Sequence, residues 1–232
     1  MPKRIETVDD DNIAEYNPEG VSLLVKGNIE TDRFLRLILQ HHNKNKNRLT
    51  HAFMVVNPTT GCKFILTDAV IVPHPTADDR VNSVKKIIDY IPFKKDIIVN
   101  YLTPNGHYSE KVSESEEARL CEIKTKQRMP NVAVTTYQLD AALDAKVATY
   151  KYEKPHDYSN KTIILSASSL AEGNAIVKSF ILNGAEVIGF VVGADIPVVL
   201  NSRANLKMNE RAANFLIDTV LFPQEAKEPL DV

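Results

Sequence analysis

The chain has no tryptophan and only two cysteines, Cys62 and Cys121, in 232 residues. The cysteines stand far apart in no Cys-x-x-Cys pair, and none of the six histidines pairs with them. That removes a zinc ligand set and leaves free thiols in a reducing compartment as the expectation. An excess of one charge is missing too: 28 basic residues face 30 acidic ones, so no global field draws the chain to nucleic acid or anionic lipid. No apolar run reaches the roughly 18 residues of a membrane span. The opening MPKRIETVDDD lacks the apolar core of a signal peptide. These absences predict a protein with no membrane contact, made and kept inside a cell, virus-encoded proteins included. The length suits one well-buried domain.

The most informative stretch runs from Lys161 to Val192. Thr162 to Leu165 form an apolar, β-prone run, followed by the small-residue turn Ser166 to Ser169. Ser169 and Glu172 stand at capping-box spacing, so a helix starts there, with Ile176, Val177, Phe180 and Ile181 on one face. Asn183-Gly184 stops it before a second strand, Glu186 to Val192. Strand, loop, helix and strand in this order predict an α/β fold with a mostly parallel sheet flanked by helices. In such sheets ligands bind at the carboxyl ends of the strands. The loop Ser166, Ala167, Ser168, Ser169, Glu172, Gly173 and Asn174 is therefore the first candidate ligand site.

Elsewhere, residues 1–20 read as a flexible polar arm, 21–222 as a single domain, and 223–232 as a tail. Glu30-Thr31-Asp32 opens a helix after a strand at Val21 to Val25, and the adjacent His41 and His42 read as surface residues. Ala52 to Val56 and Lys63 to Leu66, joined by Asn57-Pro-Thr-Thr-Gly61, predict a β-hairpin. Ala69 to Val72 reads as a buried strand. Thr76 and Asp79 form a second capping box ahead of Val81, Val84, Ile88 and Ile91, and a strand follows at Asp96 to Tyr101. Pro73, His74, Thr76 and Arg80 make a second cleft loop. Residues 104–130, poor in apolar side chains, read as an inserted exposed excursion with a short helix near Glu116 to Lys126. Asn131 to Tyr137 and Val147 to Tyr152 read as strands. Val198 to Leu200 is a further strand before a last helix with Met208, Ala212, Phe215, Leu216 and Val220 facing inward.

Several of these segments carry a likeness. Tyr150-Lys-Tyr-Glu-Lys-Pro-His-Asp157 followed by IILSASSLAEGNA resembles the uracil phosphoribosyltransferase stretch that continues into LLLDPMLATGGS. Thr31-Asp-Arg-Phe-Leu-Arg36 and Ile71-Val72-Pro73 resemble two more family segments in the same order. The resemblance implies a type I phosphoribosyltransferase fold, commonly dimeric, that joins uracil to phosphoribosyl pyrophosphate. It also implies a site stripped of its chemistry. The family's ribose-binding aspartate falls on Ala167 or Ser168, its phosphate-loop threonine on Glu172 and its second glycine on Asn174. The arginine of its VPILRAG strand falls among Pro75 to Asp78, with Arg80 one turn on, and its C-terminal PGLGD loop has no counterpart.

The leading expectation is thus a catalytically degenerate phosphoribosyltransferase-fold protein, with no catalytic residues, metal or cofactor, acting by binding or assembly. Its partners would be further copies of itself as a dimer, a protein or RNA assembly, or a bound nucleotide. The alternative is an active nucleobase phosphoribosyltransferase using Mg²⁺ and displaced residues: Ser166, Ser168 and Ser169 for phosphate, with Lys161, Arg80 or Arg203 for charge. Asp78-Asp79 as a Mg²⁺ pair, and Tyr137, Tyr150 and Tyr152 as stacking residues, weigh against plainer roles as helix cap and sheet residues. A short-chain dehydrogenase reading of KTIILSASSLAEGNAIVKSF lacks the glycines its phosphate loop needs at Ser166 and Leu170.

Overall fold

The computed structural model describes residues 4–58, 61–91, 96–201 and 206–221. Arg203, the segment before Arg4 and the tail beyond 221 lie outside them. Among the described residues nine strands form one mixed, mostly parallel sheet: β1 (Arg4–Val8), β2 (Val21–Lys26), β3 (Thr50–Asn57), β4 (Cys62–Thr67), β5 (Ile97–Tyr101), β6 (Ala133–Thr135), β7 (Thr162–Ser166), β8 (Glu186–Val192) and β9 (Val198–Val199). Their order across the sheet is β1-β2-β9-β8-β3-β4-β7-β5-β6. β3 and β4 are the expected antiparallel hairpin, Asn57 opposite Cys62. β4, β7, β5 and β6 then run parallel.

The helices are α1 (Thr31–His41), α2 (Ala77–Tyr90), α3 (Ser113–Arg128), α4 (Leu139–Leu143), α5 (Ala145–Tyr152), α6 (Leu170–Leu182) and α7 (Leu206–Leu216), the last continuing into a π-helical turn to Leu221. On one face of the sheet Val81, Val84 and Ile87 of α2, Ala118 and Cys121 of α3, and Ala212 and Phe215 of α7 pack with Val99, Ile164 and Phe190. On the other, Ala142 of α4 and Ile176 and Val177 of α6 pack with Phe53, Leu66 and Leu165. Phe34, Leu37 and Ile38 of α1 close a third cluster with Leu24 and Val198. The general class expected from the sequence is the one observed.

Five local expectations are corrected. The supposed arm contains β1, which pairs in parallel with β2 while leaving most of its polar side chains in solvent. Backbone pairing at a sheet edge needs no apolar sequence, so composition concealed it. Ala69 to Val72 is a turn, because the buried Asp68 carboxylate accepts the amides of Val70 and Ile71 at 2.8 Å each and that of His51 at 3.1 Å. Val147 to Tyr152 is helical: Asp144 caps α5 by accepting from Lys146 and Val147 amides, and a local cap outweighs the β-prone alternation of its side chains.

The largest correction concerns 104–130, whose main part is α3, the crossover helix from β5 to β6. Its buried side is Ser115, Ala118, Cys121 and Thr125, small and partly polar side chains at helical spacing that hydropathy does not register. They admit α3 close to α2, where Lys124 and Arg128 pair with Asp78 at 2.7 and 2.6 Å. His42 is also corrected. It is buried rather than superficial, with its Nε2 bonded to the Tyr16 hydroxyl.

Candidate functional site

The carboxyl ends of β4, β7, β5 and β6 lie along one edge of the sheet, and the chain leaves them towards different faces. The β4 and β5 loops lead to α2 and α3, whereas the β6 and β7 loops lead to α4 and α6 on the opposite face. Loops that part in this way open a crevice at the strand ends, the position where ligands bind in open α/β sheets.

The two loops singled out in the sequence meet at this edge. Ser166 ends β7 buried. Its Oγ accepts a hydrogen bond from Arg80 Nε at 3.2 Å and its carbonyl accepts one from Arg80 Nη2 at 2.7 Å. Arg80 is itself buried, also donates to the Leu102 carbonyl at 3.5 Å, and lies 5.3 Å from the centre of the Tyr101 ring. It thereby ties the ends of β7 and β5 together. The neighbouring Ala167 amide bonds to the Thr67 carbonyl at 2.8 Å, fixing β7 to β4.

Ser169 caps α6, accepting the Glu172 amide at 3.2 Å, while Glu172 Oε2 accepts the Ser168 amide at 2.6 Å. The positive end of α6 is therefore filled by the chain's own carboxylate, and an incoming anion there would meet like charge. Gly173 is a packing requirement: a Cβ would fall 2.9 Å from that of Ala69 and 3.0 Å from the Asp68 carbonyl. Asn174 is half-buried one position on.

The Pro73 carbonyl accepts the Leu170 amide at 3.2 Å, joining the second loop to the first. His74 stays exposed on the rim. Thr76 and Asp79 form the expected capping box of α2, and Asp79 also pairs with Arg48. Asp78 and Asp79 are thus both committed to cations and amides, and among the described residues no cluster of three or more His, Cys, Asp or Glu side chains is placed to hold a metal ion. Lys161 pairs with Asp96 at the opposite end of β7 and takes no part in this edge. Tyr137 and Tyr152 stack on each other with ring centres 3.9 Å apart, and Tyr150 stands in solvent.

A cavity of about 370 Å³ opens a few residues away, in the region taken from the sequence for an excursion. Thr103, Asn105, His107 and Tyr108 line it from the β5 loop, Ser115, Arg119 and Glu122 from α3, and Thr136 from the end of β6. The Arg119 guanidinium lies over the Tyr108 ring at 4.7 Å, and the Tyr108 hydroxyl donates to Glu116. Ser115 Oγ accepts the Ser109 amide at 3.1 Å. The lining combines one guanidinium, Arg119, with one carboxylate, Glu122, and the hydroxyl-bearing Thr103, Ser115 and Thr136; the guanidinium is the group there suited to an anion such as a phosphate. The helical spacing of Ser115, Ala118, Cys121 and Thr125 marks α3 as a packed helix but carries no signal of the cavity itself.

No family model matches the chain. It is 28% identical over 195 residues to a phosphate acetyltransferase of Rickettsia typhi, an overlap of 80% of this chain and 55% of that protein. It is 26% identical over 191 residues to a phosphate acetyltransferase of Rhizobium meliloti, covering 79% and 60% of the two chains. The chain thus spans a little over half the length of these relatives. Among solved structures, a branched-chain phosphotransacylase from Enterococcus faecalis superposes with a TM-score of 0.68 at 24% identity, over 83% of this chain and 70% of that one. A phosphotransacetylase from Streptococcus pyogenes gives 0.67 at 20% identity, over 83% and 61%. These relatives overturn the resemblance to uracil phosphoribosyltransferases, and with it the picture of such an enzyme emptied of its chemistry. The strand, turn and helix around Ser166 belong to another fold that shares the same local grammar. The chain has the fold of the phosphotransacylases.

Proposed function

We propose that the chain catalyses acyl transfer between phosphate and a second acceptor, with the crevice at the ends of β5 and β6 as its site. The observation that carries this reading is the similarity to phosphate acetyltransferases along four-fifths of the chain. The cavity supports it. Arg119 supplies the positive charge a phosphoryl group needs, and the Thr103 and Thr136 hydroxyls supply directional donors on the strand ends. The α6 N-terminus plays no phosphate-binding part in this scheme, because Glu172 already occupies it. No redox cofactor is called for, since the acyl carbon keeps its oxidation state through the transfer.

The test is direct. Purified protein is incubated with short straight-chain and branched acyl thioesters and inorganic phosphate, and release of free thiol is followed together with formation of acyl phosphate by ³¹P NMR. Phosphate-dependent thiol release is expected. An Arg119→Met variant should raise the KM for phosphate by about 10- to 100-fold, the equivalent of one charge-assisted hydrogen bond. Absence of phosphate-dependent turnover across the acyl series refutes the reading.

A further inference from the structure

We infer that Asn100 is a positioning residue of this cavity, holding Thr136 on the wall that it shares with Thr103; the assignment rests on the acyl-transfer reading above. Asn100 interrupts the apolar run of β5, Ile97-Ile-Val-Asn-Tyr101, and is 1% exposed. A buried amide inside a sheet destabilises the fold unless hydrogen bonds satisfy it. Its partners therefore define its role.

All of them lie at the end of β6. Asn100 Oδ1 accepts the Thr135 hydroxyl at 2.7 Å and the Tyr137 amide at 2.8 Å, while Asn100 Nδ2 donates to the Tyr137 carbonyl at 3.1 Å. The side-chain amide cannot be turned over, because its NH2 would then meet the Tyr137 N–H, donor against donor. Backbone pairing of β5 with β6 covers Ile98 with Ala133, Val99 with Val134 and Asn100 with Thr135, and among the described residues β6 has no strand on its other side. Past the last of these pairs the Asn100 amide stands in for a peptide group of the strand and grips Tyr137 by both its N–H and its C=O. Thr136 lies between the two residues so held, and it is the residue that the end of β6 contributes to the cavity lining. The Tyr137 carbonyl also accepts the Thr103 amide at 3.4 Å, so both threonines are placed against the same residue.

Spacing is what this arrangement supplies to the reaction. Arg119 approaches the cavity from α3, whereas Thr103 and Thr136 stand on strand ends. Donors on separate elements act on one phosphoryl group together only when their separation is fixed before it arrives, since a hydrogen bond weakens steeply once its distance or angle departs from the ideal. Asn100 is not among the lining residues and acts through Thr136.

The experiment is a kinetic double-mutant cycle. Phosphate-dependent thiol release is measured for wild type, Asn100→Leu, Thr136→Val and the double variant, with a urea titration of each. Asn100→Leu keeps the approximate shape and removes all three bonds. It should raise the KM for phosphate about 10-fold with kcat and the KM for thioester within threefold, and Thr136→Val should do the same. In the Thr136→Val background, removing Asn100 should change the KM for phosphate by less than threefold, because the hydroxyl it positions is already gone. A folded Asn100→Leu with unaltered KM for phosphate, or effects that multiply in the double variant, overturns the assignment and leaves the acyl-transfer reading standing. If Asn100→Leu does not fold, Thr135→Val carries the same cycle. It removes only the hydroxyl bond to Asn100 Oδ1, from a half-buried position, and should raise the KM for phosphate about fivefold, an effect lost in the Thr136→Val background. An unaltered KM in Thr135→Val, or a rise that persists in that background, overturns the assignment equally. A wild type without phosphate-dependent turnover removes the acyl-transfer reading and the role of Asn100 together.

Discussion

Replacing Gly189 by alanine tests how the centre of the sheet is built. Gly189 lies on β8, opposite Phe53 of β3, and a methyl group there would press into the Leu200 carbonyl oxygen, come within 2.6 Å of Asn201 Oδ1 and within 2.9 Å of the Phe53 ring. None of these neighbours can retreat freely. The Leu200 carbonyl accepts from His51 Nε2 at 2.9 Å, the Leu200 amide donates to the Gly189 carbonyl at 2.9 Å, and Asn201 Oδ1 accepts the Gly189 amide at 2.7 Å. Relief of the clash must stretch this set, at about 1 kcal/mol for each bond lost, on top of roughly 1–3 kcal/mol for overpacking. The stiffer unfolded chain returns only about 0.4–1 kcal/mol. The net expectation is a loss of about 3 kcal/mol, which for a chain of this size lowers the melting temperature by about 6–12 °C. Calorimetry and urea titration of Gly189→Ala measure it. Gly106→Ala serves as the control, since its new methyl would meet only Gln138 Oε1 at an ordinary 3.5 Å. Equal stability of the two variants would refute the argument.

Two further outcomes follow from buried polar groups. His51 is fully buried, and burial pushes its pKa down, with the Asp68 carboxylate pulling the other way. Below the ordinary histidine value the unfolded chain takes up a proton that the folded chain refuses. Stability is therefore full above that value and declines as pH falls through it towards the depressed folded pKa. His42, also lowered by burial, acts with the same sign, so the discriminating measurement is the difference in slope between wild type and His51→Gln in urea titrations from pH 7.5 to 5.5. Identical slopes would exclude His51. The Tyr101 hydroxyl bonds to Thr125 Oγ1 at 2.7 Å beneath α3. Thr125→Val should cost about 1–3 kcal/mol by orphaning the phenol, and adding Tyr101→Phe should recover much of it, as a double-mutant cycle by chemical denaturation would record.

Sequence alone determined what short-range physics controls. Ser169 with Glu172 and Thr76 with Asp79 specify two helix starts, Asn57 to Gly61 turns the β3–β4 hairpin, and the apolar period after Ser169 fixes which face of α6 is buried. Each depends on groups within one or two turns of chain, so the residues state it outright. The same property let the Lys161–Val192 stretch resemble an unrelated enzyme, because a strand, small-residue turn and capped helix recur in many α/β folds. Tertiary structure decided the rest. β1 exists because β2 offers it a backbone partner, and α3 is an integral layer because its small buried side chains bring Thr125 onto Tyr101 and let Lys124 pair with Asp78 of α2. Arg80 is a buried bracket, not a cleft cation, because Ser166 and Leu102 lie 86 and 22 residues away in sequence but beside it in space. The cavity that brings His107, Arg119 and Thr136 together arises only when β5 and β6 pair, and contacts between such distant residues leave no period or spacing in the chain to read.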